Sequence, residues 1–387
     1  MSLYRPPRNI LLLGLTSFFN DFSSEMVLAV FPAFFTSVLK TGASSLGMVE
    51  GLADGAANLI KIYAGRLSDS AQKRKPFILA GYSLSVAVRP LYLLVSSVGG
   101  VLGLRVTDRI GKGLREGPRD AIISLSTKPE ELGRAFGYHR AMDTLGAVVG
   151  PLVAYLILRA YPGAFNTIFI TAFVVGICAV LSITFIKEVV GVTKKKDISL
   201  AALSDFPPRF KRYLIALFFL SAGRIPVAVL LLKTQHLGLS LASIPLFYML
   251  YNLSYAAFSI TGGGLSDKHG PKHIIRIGYL LLLCVYVMLA LAESTIALVL
   301  AFLALGLFPA LTDGVQRALA AELSPKEKRA GAMGLVNAVS GFGLMFAGLS
   351  GGYLWEHFGV STALLLGGGL VIVGVIVLSS LTPEKGA

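Results

Sequence analysis

The stretch GRLSDSAQKRK at residues 65–75 recurs in diverged form as GGLSDKHGPKH at residues 263–273. Two further pairs of segments lie about 197 residues apart: 116–121 with 313–318, and 134–137 with 331–334. A recurrence over this much of the chain indicates two copies of one structural unit. Parallel repeats of a helical membrane unit enclose a central cavity, and rocking of one copy against the other exposes that cavity to alternate sides. The repeat therefore favours a transporter over an enzyme.

The composition is that of a membrane protein. Of 387 residues, 55% are hydrophobic and only 14% are charged, and the mean hydropathy is +0.73, far above what a soluble domain needs. Because a helix of about 20 apolar residues crosses a bilayer, we expect an all-α protein with twelve transmembrane helices. The expected spans are 10–38, 44–66, 76–97, 99–125, 133–158, 163–186, 210–232, 240–264, 273–293, 295–321, 330–354 and 358–381. The fourth and tenth are so polar that we expect a plain hydropathy window to miss them.

The net charge of +14 reflects membrane topology. If the N-terminus is cytoplasmic, the outer connections carry only Lys40, Arg159 and Lys233, whereas the inner ones carry basic clusters such as residues 73–75 and 194–196. The positive-inside rule then places both termini in the cytoplasm, and we expect a multi-pass protein of the inner (cytoplasmic) membrane. Since no polar domain carries the excess charge, a nucleic-acid partner is not expected.

The longest hydrophilic segment lies at the middle of the chain. Residues 188–212 contain three consecutive lysines and a pair of prolines, which is typical of a linker. We therefore expect a six-helix bundle at residues 1–187, a cytoplasmic linker at 188–212, and a second six-helix bundle at 213–387.

Motifs in both copies of the repeat resemble those of the major facilitator superfamily, and the resemblance covers essentially the whole chain. The loop after the second span is similar to the family's Gly-x-Leu-x-Asp-(Arg)-x-Gly-Arg-Arg motif through Gly65, Leu67, Asp69, Lys73 and Arg74. It departs from the motif at Ser70 and Gln72, which implies a weaker intracellular salt-bridge gate in this half. The second copy keeps Gly263, Leu265, Asp267 and Gly270. The resemblance implies that Asp69, Arg74 and Asp267 act in gating.

Two further motifs add to the resemblance. Arg105 in the fourth span is similar to the family's fourth-helix arginine, which is implicated in proton transfer. The fifth span carries Gly146-x-x-x-Gly150-Pro151, which resembles a motif associated with antiporters of the family. Glycines four residues apart also allow close helix packing, and Pro151 removes a backbone donor, so these three residues act either in gating or in packing alone. The family also implies function as a monomer.

The first span carries two acids on one face. Asp21 and Glu25 are four residues apart, with Asn20 beside them. Ionisable residues inside a membrane normally face a partner or a wet cavity, and two nearby carboxylates disfavour each other's charge, so one of them would hold a proton readily. We expect Asp21, then Glu25, to be proton-coupling residues together with Arg105. The alternative is that either acid is the permanent ion-pair partner of an arginine in the fourth span.

The fourth span is dense in charge, and several of its residues must pair locally. We expect Asp108 to pair with Lys112, and Arg115 with Asp120. Arginines can bind a carboxylate or phosphate through forked hydrogen bonds, so an anionic small molecule or a metal chelate is one option for the substrate, and an internally neutral network is the other. The candidate substrate ligands are Arg109, Lys112, Glu116, Arg224, Asp313 and Arg317.

The fifth span adds His139, Arg140 and Asp143. Asp143 could pair with Arg140 or with Arg89 of the third span, and polar stripes of this kind are more often structural networks than substrate ligands. His139 is either a pH-responsive group or a cytoplasm-facing cap.

The sequence contains no nucleotide-binding motif, no His/carboxylate metal spacing and no nucleophile spaced to work with a base. We therefore expect no cofactor, no bound metal and no enzymatic activity, and the energy must come from a proton gradient. The expected function is proton-coupled antiport that exports a small molecule by alternating access. Proton-coupled symport or uptake of an organic anion or metal chelate is the alternative.

Overall fold

A computed structural model describes residues 6–71, 73–128, 131–189, 203–325 and 328–381, without the side chains of 62–71, 205 and 330. Within these ranges the chain forms helices and short connections, and no strand. The helices are α1 (Arg8–Ser37), α2 (Ala43–Ala71), α3 (Lys75–Leu91), α4 (Val98–Leu125), α5 (Leu132–Ala160), α6 (Phe165–Thr184), α7 (Pro208–Ala222), α8 (Val227–Leu231), α9 (Lys233–His236), α10 (Ile244–His269), α11 (Pro271–Leu291), α12 (Thr295–Glu322), α13 (Arg329–Phe358) and α14 (Val360–Ser379). The all-α class is confirmed, and the twelve expected spans are consistent with these helices.

Nine helical segments of the described chain are long and apolar enough to cross a membrane. The helices α1, α2 and α4 are as long as these but are not among the nine. We expected a hydropathy window to miss the fourth and tenth spans. The fourth is missed, whereas the tenth corresponds to α12 and is among the nine. The first and second spans are missed as well, since they also carry ionisable residues.

The seventh expected span is not one helix. Residues 223–226 separate α7 from α8, and Pro226 cannot donate a backbone hydrogen bond that would continue the helix. The Tyr286 hydroxyl of α11 lies at this gap: it donates to the Gly223 carbonyl at 2.7 Å and accepts from the Ile225 amide at 3.0 Å. A broken helix at membrane depth needs such internal partners. The seventh expected span is therefore one membrane-spanning segment whose helix is interrupted at residues 223–226.

We expect Tyr286→Phe to lower the free energy of unfolding by about 1–3 kcal/mol, because the buried backbone groups of Gly223 and Ile225 lose their partner. Thermal unfolding of the purified protein measures this loss. The matched control is Tyr155→Phe, since the Tyr155 hydroxyl accepts only an exposed hydrogen bond from Arg159. Equal unfolding temperatures for the two variants would show that the gap does not depend on Tyr286.

The chain folds as two compact units. The first contains α1, the part of α2 from Ala56, α3 to α6, and the segment Leu239–Met249 from the second half of the sequence. The second contains the segment Thr41–Gly55, which includes the start of α2, and the rest of the described second half. The linker at 188–212 stays a prediction, because residues 190–202 lie outside the described ranges.

Local structures recur in the two units at the offset of the sequence repeat. Ser97 and Ser294 precede α4 and α12, and each accepts a hydrogen bond at 3.2 Å from the amide three residues on, which is how serine caps a helix start. Gly81 on α3 contacts α4, and Gly278 on α11 contacts α12 in the same way. The two halves of the sequence therefore encode related folds.

The backbone conformation explains the glycine of the second loop motif. Gly270 has a φ of 84° immediately before α11, a left-handed conformation that side chains disfavour. Gln72, which stands at the corresponding position of the first copy, lies outside the described residues.

Candidate transport site

Helices α1 and α5 of the first unit cross at glycines. A β-carbon at Gly146 would lie 2.8 Å from a backbone nitrogen of α1 and 3.2 Å from Asp21 Cβ. One turn on, a β-carbon at Gly150 would lie 2.9 Å from the Met26 amide nitrogen. Both glycines are therefore packing positions that let the two helix backbones touch. Their role in gating, and that of the buried Pro151, stays a prediction.

The same crossing recurs in the second unit without a carboxylate. A β-carbon at Gly343 of α13 would lie 2.5 Å from Ser221 Cβ and 3.0 Å from the Ala222 amide nitrogen of α7. Gly343 follows Gly146 by the repeat offset, and Ser221 takes the place of Asp21 against it. This helix contact therefore forms around a serine as well as around an aspartate.

Asp21 is held by a neutral donor. The Asn20 side-chain amide donates to Asp21 Oδ1 at 3.0 Å, and Asn20 Oδ1 accepts from Arg89 Nη2 of α3 at 3.0 Å. Arg89 is only 2% exposed. Its buried guanidinium therefore orients the Asn20 amide, which in turn orients the Asp21 carboxylate. Among the described residues, neither Asp21 nor Glu25 forms an ion pair with an arginine of α4 at salt-bridge distance.

Glu25 binds a residue from the second half of the sequence. The Tyr248 hydroxyl donates to Glu25 Oε2 at 2.6 Å, and Tyr248 lies in the segment that joins the first unit. Arg109 of α4 also interacts electrostatically with Glu25. Sequence reasoning missed Tyr248, because no local pattern connects two positions in different halves of the chain.

Two charges of α4 pair differently from the expectation. Asp108 binds Arg105, with Nη1 and Oδ2 3.2 Å apart, and does not bind Lys112. The Arg105 guanidinium also lies 5.4 Å from the centre of the Phe31 ring on α1. Lys112 instead approaches Glu116, which draws it away from Asp108. The role of Arg105 in proton transfer stays a prediction.

Arg115 joins α4 to α3. It donates to Ser85 Oγ at 2.6 Å, and its guanidinium lies 4.5 Å from the centre of the Tyr82 ring. Asp120, its expected partner, binds Arg119 at 2.9 Å instead. The expected pairing of Arg115 is therefore wrong, because tertiary acceptors on α3 compete with those one turn along α4.

Glu116 is the centre of a small network between α2 and α4. Lys61 Nζ lies 3.0 Å from Glu116 Oε2, and Lys112 Nζ lies 3.9 Å from Glu116 Oε1. The Glu116 side chain is 23% exposed and that of Lys112 is 41% exposed. These two candidate substrate ligands therefore lie together and are accessible, whereas Lys61 was not among the candidates.

A buried pair lies near the start of α5. His139 Nδ1 lies 3.6 Å from Asp143 Oδ2, and Arg140 Nη1 lies 3.9 Å from the same oxygen. Asp143 thus approaches Arg140, since Arg89 binds Asn20. His139 is only 4% exposed, which disfavours its interpretation as a cap that faces the cytoplasm.

In the second unit, Arg224 lies in the gap between α7 and α8. Its Nη1 is 3.1 Å from Asp313 Oδ1 of α12, and its guanidinium lies 5.0 Å from the centre of the Phe308 ring. The side chains of Arg224 and Asp313 are 28% and 36% exposed. The structure thus brings these two candidate ligands together, and Arg317, one turn after Asp313, is exposed.

The loop-motif residues are described only in part. The Arg74 side chain is 2% exposed, and its Nη1 donates to the Val189 carbonyl at 3.2 Å. Glu188 accepts from the amides of Arg74 and the next residue, at 3.0 and 2.9 Å, which anchors the start of α3. The side chain of Asp69 is not among those that the structure describes. Asp267 is exposed near the end of α10. The gating assignments stay predictions.

Known proteins resemble the chain along its length. Residues 13–223 and residues 212–387 each match the family model of the Major Facilitator Superfamily. An uncharacterised MFS-type transporter of Methanocaldococcus jannaschii is 36% identical over 355 residues, which cover 90% of this chain and 89% of that protein. The quinolone resistance protein NorA of Staphylococcus aureus is 30% identical over 142 residues, 37% of this chain and 36% of NorA. The crystal structure of nucleoside transporter NupG has a TM-score of 0.80 at 15% identity and covers 97% of this chain and 99% of that chain, a likeness of fold alone.

Proposed function

Since the chain belongs to the major facilitator superfamily, we propose that it is a proton-coupled antiporter that exports a small molecule by alternating access. It would lie in the inner membrane with both termini in the cytoplasm and work as a monomer without a cofactor. Asp21 would take up a proton from outside and release it to the cytoplasm as substrate leaves. Glu25 and Arg105 would tune that exchange.

The setting of Asp21 carries the proposal. Its carboxylate lies in a membrane helix and accepts a hydrogen bond from the neutral amide of Asn20. A carboxylate without a salt bridge can gain and lose a proton without breaking an ion pair, which a carrier must do in each cycle. Asp108, in contrast, is bound to Arg105 and is suited to a permanent charge.

The second unit supports a functional reason for this acid. Ser221 occupies the place of Asp21 at an equivalent helix crossing, so the packing itself does not need a carboxylate. A charged residue in the membrane is costly and is kept where it has a function. The partial relative described as a quinolone resistance protein supports export of a small organic molecule as the direction of transport.

The test uses everted membrane vesicles that respiration has made acidic inside. Compounds that raise the unfolding temperature of the purified protein, with a quinolone among those screened, are added while a dye reports the pH gradient. We expect a transported compound to discharge the gradient in vesicles that contain the protein and not in empty vesicles. Accumulation of the same compound in intact cells, driven by inward protons, would instead establish symport.

The surroundings of Arg224 favour a second candidate, uptake of an organic anion by symport. Its guanidinium lies at a break in a membrane helix, is 28% exposed, and has a single acidic partner, Asp313, within salt-bridge distance in the described chain. An arginine presents its donors as a rigid fork that matches a carboxylate.

If Arg224 clamps an anion, Arg224→Lys will weaken binding of small carboxylates about tenfold or more, because hydrogen bonds to charged groups contribute about 1.5–3 kcal/mol each. Lysine keeps the charge opposite Asp313 but lacks the fork. Thermal shift against a panel of mono- and dicarboxylates measures the change, with Arg159→Lys on the exposed end of α5 as the control. If no carboxylate stabilises the wild-type protein, the second candidate is rejected.

A further inference from the structure

Asp21 faces a second aspartate across the crossing of α1 and α5. Gly146 contacts Asp21 Cβ, and Asp143 lies one turn before Gly146 on the same face of α5. Ser17, one turn before Asp21 on α1, interacts with the Asp143 carboxylate. The two carboxylates therefore lie on the same side of the crossing, and they interact electrostatically.

The cations around this crossing have other partners. The charged residues that face the two aspartates are Arg89 on α3, Lys112, Arg115 and Arg119 on α4, His139 and Arg140 on α5, and Glu25 on α1. Arg89 binds Asn20, and Lys112 binds Glu116. Arg115 binds Ser85, and Arg119 binds Asp120. Arg140 is 3.9 Å from Asp143, but its side chain is 55% exposed. Arg140 is thus a largely exposed partner of Asp143, and it offsets the repulsion between the two carboxylates only weakly.

Buried polar atoms at the crossing have no hydrogen-bond partner among the described residues. Asp143 Oδ1 and His139 Nε2 are both fully covered. His139 is 4% exposed, and its other ring nitrogen lies 3.6 Å from Asp143 Oδ2. A covered carboxylate oxygen without a donor favours a carboxyl group that holds or shares a proton.

The second unit has neither acid. Ser221 stands in the place of Asp21, and Ser340 of α13 follows Asp143 by the repeat offset of about 197 residues. Packing of this crossing therefore needs neither carboxylate, and both acids occur in the first unit alone.

We propose that Asp21 and Asp143 form one proton-binding site, in which the two carboxyl groups share a single proton near neutral pH. One carboxyl keeps the proton and donates a hydrogen bond to the other, which stays ionised, so the pair carries one negative charge. Asp143, and not Glu25, is then the partner of Asp21, since Glu25 is occupied by Tyr248. The role of this pair in transport rests on the proposed function. The statement that the pair holds a proton does not rest on it.

Infrared spectroscopy of the purified protein in lipid tests the pair without any substrate. Growth on carboxyl-labelled ¹³C-aspartate moves the aspartic acid carbonyl band away from that of glutamic acid, so Glu25 does not interfere. We expect the wild type to show a protonated aspartate band near neutral pH. Asp21→Asn and Asp143→Asn should each remove the whole band, because the remaining carboxylate no longer shares a proton. Asp313→Asn in the second unit is the control and should leave the band unchanged.

Each other outcome overturns the proposal. Loss of the band in Asp21→Asn alone would make Asp21 an independent site, loss in Asp143→Asn alone would make Asp143 the site, and a wild type without the band would show that both are ionised. Asp143→Ser, which copies the second unit, repeats the test if the asparagine variant folds poorly. If the band behaves as expected while no compound discharges a pH gradient, the proton pair stands and the proposed antiport fails.

Discussion

Asp21→Asn is expected to abolish proton-coupled transport and to leave substrate exchange intact. Asparagine has nearly the shape of aspartate, and its oxygen can still accept from Asn20, but it cannot carry a proton. In proteoliposomes, efflux driven by a pH gradient should be lost. Counterflow, in which labelled substrate exchanges with unlabelled substrate at equal pH, should persist, because it needs only binding and the conformational change.

The control for this experiment is Asp120→Asn. Asp120 is also an acid of the first unit, but its side chain is 50% exposed and pairs with Arg119, so both gradient-driven efflux and counterflow should remain. Asp21→Ser provides a second variant whose side chain occurs naturally at the equivalent crossing of the second unit. Gradient-driven efflux at the wild-type rate in both Asp21 variants would remove Asp21 from the coupling mechanism.

Gly146→Ala is expected to destabilise the protein, although it adds only a single methyl group. The new β-carbon would lie 2.8 Å from a backbone nitrogen of α1 and closer still to a carbonyl oxygen, so the two backbones must separate. Overpacking of this kind costs about 1–3 kcal/mol. A lower unfolding temperature in detergent, together with a reduced yield of monodisperse protein, would report the loss.

The same helix offers the matched control. Gly137 of α5 has no heavy atom within 4 Å of its β-carbon position, and alanine in an exposed helix is favoured over glycine by about 1 kcal/mol. Gly137→Ala should therefore leave the unfolding temperature unchanged or raise it. If Gly146→Ala behaves like Gly137→Ala, α1 and α5 do not depend on backbone contact at Gly146.

Much of the fold follows from the sequence because the bilayer simplifies the problem. A helix must satisfy its own backbone hydrogen bonds in lipid, so long apolar runs predict helices with ends accurate to several residues. The glycine spacing at 146 and 150 predicted close packing for the same reason, since it depends on local helix geometry. The acids at 21 and 25 stand out because charge is rare in such runs.

The choice of partners could not be predicted in this way. Asp108 has basic residues within one turn on both sides, and it pairs with Arg105 while Lys112 approaches Glu116. The pairing of Glu25 with Tyr248 joins distant parts of the chain. The break at residues 223–226 lies within the expected seventh span, and the hydroxyl that occupies it comes from α11.

The amino-acid sequence alone determined that this is a duplicated helical membrane protein with acids and arginines inside its spans, because hydropathy, repetition and spacing are local properties of the chain. Only the tertiary structure decided which charge meets which, because an ion pair or a hydrogen bond within the membrane depends on the side chains that neighbouring helices bring within about 3 Å. It placed Asp21 beside a neutral amide and against Gly146 of α5, and Arg224 against Asp313. Those placements, and not the composition, make the first unit a candidate proton carrier.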